Sequence, residues 1–563
     1  MRYLKPLILL VIFCFCAIIL SCGKPGPADL VLYGGKIATV DEEFSIQEAV
    51  AVRGNKIVFV GSDDEVQDFI YPNTVVLDCK GKLVLPGLID AHAHLHSLGE
   101  ELTSLNVTGT QSFEEIIGRV SKRVESSKPG EWIVGGRWDQ NDWEDTSFPV
   151  HDALSAVSPE NPVYLTRIDG NAAFANAIAL ELADITKDTP DPFGGVIVRK
   201  PDGEPTGVLV NRAMNAVIAK IPENTEAQFR EKFLKAVNAC LRVGLTGVHE
   251  AGVGPRAISM YKDLIDRRQL KLRLYAMLGE ERDLPQDIDL VEYFKSHRIP
   301  EYGDHMLSVR SIKLFFDGAL GSRGAAFFEP YADDPSNTGL LRIPTDYIYE
   351  ISKAALASDM GVNTHCIGIR GNSLCLDAYE RAFKENPKED HRFRIEHAQI
   401  VRPEDIRRFA ALGVIPAMQP THCTSDMYFV ADRVGDKRAE GAYAWRWFID
   451  AGLKIPCGSD FPVESTDPLL GIFAAVTRQD TSGWPEGGWY PSQRMTIQEA
   501  IKGFTIWAAY GAFQEDVLGS IEVGKYADFT ILDKDILESD PAEILNTKPV
   551  YTIVAGKIRF RAE

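Results

Sequence analysis

From residue 85 to residue 460 the chain alternates short apolar segments with amphipathic stretches, and no other feature restricts its fold as much. The apolar segments are Leu85–His92, Leu245–Glu250, Leu272–Leu278, Ile312–Asp317, Val362–His365, Phe393–His397, Val414–Gln419 and Ile455–Asp460, eight in all. Runs of this length bounded by glycine, proline or polar residues read as buried strands. Between them Ala227–Val243, Tyr347–Asp359 and Pro403–Leu412 carry apolar residues at helical spacing. Eight strands alternating with helices predict an α/β fold, a closed parallel (β/α)8 or TIM barrel.

At 563 residues the chain has room for such a barrel and more. Its two ends have a different texture. Asp29–Tyr33, Ile37–Val40, Ala49–Arg53, Lys56–Val60 and Thr74–Asp78 are β-rich, with turns at Gly34-Gly35 and Gly54-Asn55. Asp528–Leu532 and Val550–Arg559 repeat that texture, with a turn at Gly556-Lys557. We expect one small β-sandwich built from residues 29–84 plus 518–563, flanking a barrel over 85–517. About 150 residues separate the first two barrel strands and contain strands of their own at Trp132–Gly135, Val163–Arg167 and Val196–Arg199. An inserted subdomain over 98–240, above the barrel mouth, accounts for them.

The N-terminus carries Arg2 and Lys5 ahead of an unbroken apolar run from Pro6 to Leu20, fifteen residues long. That is shorter than the roughly 20 residues needed to span a bilayer, and it reads as a secretory signal over residues 1–21. Ile19-Leu20-Ser21-Cys22-Gly23 resembles a bacterial lipobox with Cys22 as the lipidated residue, followed by a tether over 22–28. An uncleaved anchor helix is the alternative. Either way the body is expected outside the cytoplasm, held to a bacterial membrane by its anchor only, the outer one where two exist. A net charge of −20 argues against nucleic acid or anionic lipid as partner. Cys79, Cys240, Cys366, Cys375, Cys423 and Cys457 show no CxxC spacing and read as buried thiols. The sequence leaves a homo-oligomer open.

The strand ends carry the chemistry. His92 and His94 alternate on one strand, so both project to the same side and can chelate one ion. Alone, an HxH pair is also compatible with a solvated loop. His365, His397 and Asp460 each close a later strand, however, and Lys313 lies inside Ile312–Phe316. In a barrel these ends converge on one site. A lysine among Ile312, Leu314 and Phe315 is expected to have a lowered pKa and an available neutral amine. Such an amine can take up carbon dioxide as a carbamate, an anionic bridge for two cations. The alternatives are a lysine reaching out of the barrel or one paired with Asp317.

Taken together, these residues make the chain similar to the amidohydrolase superfamily, and specifically to the amidohydrolase 3 subgroup that includes N-substituted formamide deformylases. The resemblance rests on Leu85-Pro86-Gly87-Leu88-Ile89-Asp90-Ala91-His92-Ala93-His94, on the stretch from Lys313 to Ser322, and on His365, His397 and Gly458-Ser459-Asp460-Phe461-Pro462-Val463. Gly524-Lys525-Tyr526-Ala527-Asp528-Phe529 is equally typical, and Trp132–Gln140 and Gly203–Gly207 point to the subgroup. The resemblance implies that His92, His94 and Asp460 hold one divalent ion and His365 and His397 a second. Carboxylated Lys313 would bridge them, with zinc the expected metal. Two cations lower the pKa of a shared water, and Asp460 is placed to take its proton and pass it to a leaving nitrogen. The implied substrate is a small amide-like molecule.

Asn171 departs from the pattern, since related sequences usually carry histidine there; it is expected to touch substrate or to cap a turn before a helix starting at Ala172. His422 matches a subgroup pattern and is expected to contact substrate as a second catalytic residue, or else to be a structural loop histidine. His249 is expected to line the pocket or join the core. Trp138 and Asp139, in the insertion, would wall the pocket, unless the aromatic is subdomain core, and Asp317 is expected as a further substrate contact. A single-metal deaminase of the same superfamily typically has Glu three residues after the strand-five histidine; here that position is Gly368. A non-catalytic solute-binding lipoprotein is opposed by the complete ligand set.

Overall fold

The computed structural model describes residues 26–168, 170–279 and 288–563. The expected leader, Cys22 and Asp169 lie outside the described residues. Among these, no helix is long and apolar enough to cross a membrane.

Seven barrel strands form: β1 (Leu88–Ala93), β2 (Leu245–Val253), β3 (Arg273–Leu278), β4 (Leu307–Phe315), β5 (Gly361–Cys366), β6 (Arg394–His397) and β7 (Ile415–Ala417). They neighbour one another in that order, and every pair is parallel. The eighth expected strand, Ile455–Asp460, makes no regular ladder. Its backbone bonds both ways all the same: Gly458 N–H donates to Met418 (3.1 Å) and Asp460 N–H to His92 (2.8 Å). Ala91 N–H donates in turn to Cys457 at 2.9 Å. The barrel is thus closed by a short irregular segment. Gly458 is required there, because a Cβ would fall 2.5 Å from the His92 nitrogen. The buried Asp90 carboxylate fastens the same segment, accepting from Ser459 Oγ at 2.6 Å and from the Ser459 and His92 N–H groups.

The first expected strand, Leu85–His92, is in fact two. Leu83–Pro86 pairs antiparallel with Phe529–Leu532, and Leu88 begins the barrel. The break falls at Gly87, where a Cβ would meet Thr246 Oγ1 at 2.1 Å and where Pro86 has no N–H to continue a ladder. The helices that cover the barrel follow from local chemistry. Glu226–Arg242 starts at a Thr225/Gln228 capping box and buries Phe233, Val237 and Leu241. Pro403–Leu412 opens on proline and ends at left-handed Gly413. Each fully buried large apolar side chain of this kind stabilises the fold by about 1.5–3 kcal/mol.

The termini build two further sheets. One orders Lys56–Gly61, Ala49–Arg53, Leu30–Tyr33 and Val75–Asp78. The other orders Lys557–Arg561, Pro549–Val554, Phe529–Leu532, Leu83–Pro86, Lys36–Ala38 and Ile46–Gln47, so both chain ends share it. Leu30, Val50, Ile37, Phe529 and Ile553 pack in the common core. Between β1 and β2 lies a separate six-stranded sheet with Gly195–Arg199, Pro205–Asn211, Ala172–Ala175, Val163–Arg167, Ile133–Trp138 and Leu105–Asn106. The helix expected from Ala172 is a strand, because Ala172–Phe174 pairs with Val208–Val210. All six cysteines of the described residues are buried and unpaired.

Candidate metal centre

Strand alternation and barrel closure together aim the ligand residues. His92 and His94 come from β1, Lys313 from β4, His365 from β5 and His397 from the end of β6. Asp460 ends the closing segment, and His422 lies on the helix Pro420–Asp426 that follows β7. The fold brings all seven together. Asp460 Oδ1 lies 3.1 Å from His94 Nε2 and 3.5 Å from His92 Nε2. Lys313 Nζ is 3.2 Å from His92 Nε2. The His365 and His397 rings meet edge to face at 4.4 Å, and His422 stacks on His397 at 5.8 Å. His422 Nε2 is 3.8 Å from Asp460 Oδ2.

Two sets of ligand atoms each lie within 4.8 Å of one another: His92, His94 and Asp460, and His397, His422 and Asp460. The first is the set expected for one ion. In the second, His422 stands beside His397 where His365 was expected, and His365 Nε2 lies 3.7 Å from Asp317 Oδ1. His365 Nε2, His397 Nδ1, His422 Nε2 and Asp460 Oδ1 are buried without a hydrogen-bond partner. Buried polar atoms are almost always satisfied, so four orphans in one cluster call for a shared partner that accepts lone pairs. A divalent cation is such a partner, and imidazole with carboxylate suits zinc. The residues fit the group.

The local field agrees. Burial brings the Lys313 amine down to about 8, against the opposing pull of Glu396 and Asp460. Burial and the Lys313 charge take His365 down to about 3 and hold His92 well below its ordinary value. Burial alone would raise the Asp460 carboxyl, but the neighbouring His94, His92 and His422 imidazoles outweigh it and leave it lowered. Neutral imidazoles beside an ionised carboxylate are the protonation states that ligation needs. The backbone is strained at the same place: His397, Ala398 and Asp460 take left-handed φ of 72°, 39° and 61°. Such residues cost about 1–3 kcal/mol each and persist only where surrounding packing holds them.

Two residues of the site escaped the sequence reading. Glu396 Oε2 accepts from His92 Nδ1 at 2.5 Å, and Arg394 Nε lies 2.7 Å from Glu396 Oε1. Their signal was two opposite charges at alternate positions of an apolar barrel strand, Arg394-Ile395-Glu396.

The fold decides between the readings left open for Trp138 and His249 and corrects those of Asp139, Asp317 and Asn171. Trp138 does not wall a pocket: it is 1% exposed, packs with Trp143 and Phe174, and donates to the Leu165 carbonyl. Asp139 pairs with Arg167 and caps the short turn Gln140–Asp142. Asp317 is no substrate contact either, because it is fully buried and accepts from the N–H groups of Ala326, Ile367 and Gly368. His249 belongs to the barrel interior, with Nδ1 3.1 Å from Arg394 Nη1 and its ring 5.0 Å from Tyr275. Asn171 is exposed just before the strand Ala172–Ala175, its carbonyl accepting from the Asn211 N–H.

The matches to known proteins extend over nearly the whole chain. The model of the amidohydrolase family matches residues 75–560. The protein LONG AFTER FAR-RED 3 of Arabidopsis thaliana is 34% identical over 94% of this chain and 91% of its own length. The N-substituted formamide deformylase of Arthrobacter pascens is 28% identical over 94% of this chain and 98% of its own. The crystal structure of a metal-dependent hydrolase from Pyrococcus furiosus superposes with a TM-score of 0.75 at 27% identity, covering 90% of this chain and all of that one. On these matches the chain belongs to the amidohydrolase family of metal-dependent hydrolases.

Proposed function

We propose that the protein hydrolyses a carbon–nitrogen, amide-like bond in a small molecule, using two divalent ions held at the barrel mouth. The observation that carries this reading is the cluster of four orphaned, buried ligand atoms beside a buried lysine. His92, His94 and Asp460 would hold one ion, and His397 with His365 or His422 the other. Lys313, carboxylated, would bridge them. Ions held there lower the pKa of a water and polarise a carbonyl, with zinc the expected metal. Asp460 supplies the proton chemistry. It accepts the water proton at its carboxylate, whose Oδ2 faces His422, and returns it to the leaving nitrogen.

A relative that deformylates N-substituted formamides makes formamides the first substrates to try. The test is a panel of formamides, acyl-amino acids, cyclic amides and esters, assayed for amine or acid release with zinc- or manganese-loaded protein. Turnover of an amide that is lost on chelation and restored by metal supports the proposal. Metal-dependent release of ammonia from an aminopurine, with no amide turned over, contradicts it. The same proposal places the enzyme outside the cytoplasm on a lipid attached to Cys22. A wild-type protein that takes up no labelled palmitate removes that part.

A further inference from the structure

Inside the barrel, next to the metal positions, lies a line of polar side chains that the proposed reaction does not use. Glu396 and Arg394 are 0% exposed and His249 is 2% exposed. Glu396 receives the His92 Nδ1 hydrogen bond at 2.5 Å, Arg394 Nε approaches Glu396 Oε1 to 2.7 Å, and Arg394 Nη1 meets His249 Nδ1 at 3.1 Å. Arg394 Nη2 also donates to the carbonyl of Ala91, the neighbour of His92 in β1, at 2.7 Å. The line therefore grips β1 twice, once through the His92 ring and once through the backbone beside it.

An ion pair sealed from water gives up its hydration, and well-packed apolar side chains of the same volume would hold a barrel at least as well. The pair needs another reason to be there, and its geometry supplies one. A carboxylate only accepts hydrogen bonds, so the proton of the neutral His92 ring sits on Nδ1. The Nε2 lone pair then faces Asp460 and Lys313. A carboxylate behind a ligating histidine fixes its ring and strengthens it as a donor. Among the described residues no carboxylate hydrogen-bonds the His397 or His422 ring, so the second set of ligand atoms has no matching support.

We propose that Glu396 is the positioning residue of the His92 metal position, held by Arg394, which His249 braces from its far side. The inference rests on the metal reading above. It makes the two positions unequal: the ion on His92, His94 and Asp460 is held more tightly, and the ion on the His397 side leaves first.

The experiment uses the zinc-loaded full-length protein, Glu396→Gln, and the charge-balanced double variant Arg394→Met with Glu396→Leu. Zinc remaining on the protein is followed by elemental analysis after mixing with a chelator. Wild type should lose its ions in two separated phases. Both variants should speed the slow phase by roughly 10–100-fold, the effect typical of removing such a support, and merge it with the fast one. In cobalt-loaded protein, the exchangeable N–H signal shifted by the metal at His92 should move in Glu396→Gln and broaden into water in the double variant. A support that serves folding alone would lower the melting temperature and leave the two phases and that signal in place. That result, or release from both variants at wild-type rates, overturns the inference. A wild-type protein that binds no zinc defeats the metal reading itself, a failure that shows before any variant is made.

Discussion

In the inserted sheet most buried polar side chains are taken up within the fold, the Tyr164 hydroxyl being the exception. Trp138 and Trp143 each donate their indole N–H to a carbonyl, of Leu165 and Thr110. Asn176 accepts from the N–H groups of Val163 and Ala179 and donates to Ser158 and Asn161. At the barrel strand ends the balance is reversed. His365, His397, His422 and Asp460 each keep a buried ligand atom without a partner, and two of these residues stand in left-handed backbone. Satisfied polar groups mark a region built to fold, and orphans held against strain mark a region built to bind. The contrast can be broken or sharpened residue by residue.

The largest effect belongs to Lys313. Lys313→Ala removes the proposed bridge, and with it several kcal/mol of charge stabilisation, or about 10³-fold or more in turnover. Metal content should fall with it, and bicarbonate with a short carboxylic acid should restore part of both. An alanine variant with full activity and full metal would erase the distinction between the two regions. Next is Asp460→Asn, which keeps an oxygen donor and removes the titrating group. Turnover should fall by roughly 10²–10⁴-fold while more than half the metal remains, as elemental analysis beside steady-state kinetics would show. Near-normal turnover would move the proton chemistry elsewhere, with His422 the next residue to test.

The inserted sheet should answer in stability instead. Trp138→Ala opens a cavity among Trp143, Phe174 and Leu165, at a cost of about 3–5 kcal/mol in the denaturation of that region. Metal content should be unchanged, and its loss would show that the insertion shapes the site after all. The smallest effect belongs to Asp139→Asn, since that carboxylate is one-fifth exposed and its pair with Arg167 is partly wetted. A stability change of about 1 kcal/mol or less is expected, with KM for any amide substrate unmoved. A large rise in KM would return Asp139 to the pocket.

Much of this was legible in the sequence, for physical reasons. An apolar run between helical stretches announces a barrel strand, and its last residues must face the mouth, so His92, His94, Lys313, His365, His397 and Asp460 could be named together. What escaped depends on contacts between distant segments. The carboxylate of Asp317 is satisfied by N–H groups at 326, 367 and 368, which nothing near Asp317 foretells. Pro86-Gly87 reads as the start of a strand until Thr246 is seen against it. Trp138 has the same local pattern whether it walls a pocket or fills a core, and only the packing of Trp143 and Phe174 decides. Glu396 looked like a strand residue, although a charge on the inner face of a barrel is itself a signal.

The two-ion reading of the strand-end cluster is tested most directly by counting metal on the purified protein. Wild-type protein reconstituted with zinc in the presence of bicarbonate should hold two ions per chain after desalting, with anomalous scattering peaks beside His92 and beside His397. A wild-type chain that stays metal-free under those conditions, with both positions empty in the anomalous map, contradicts it.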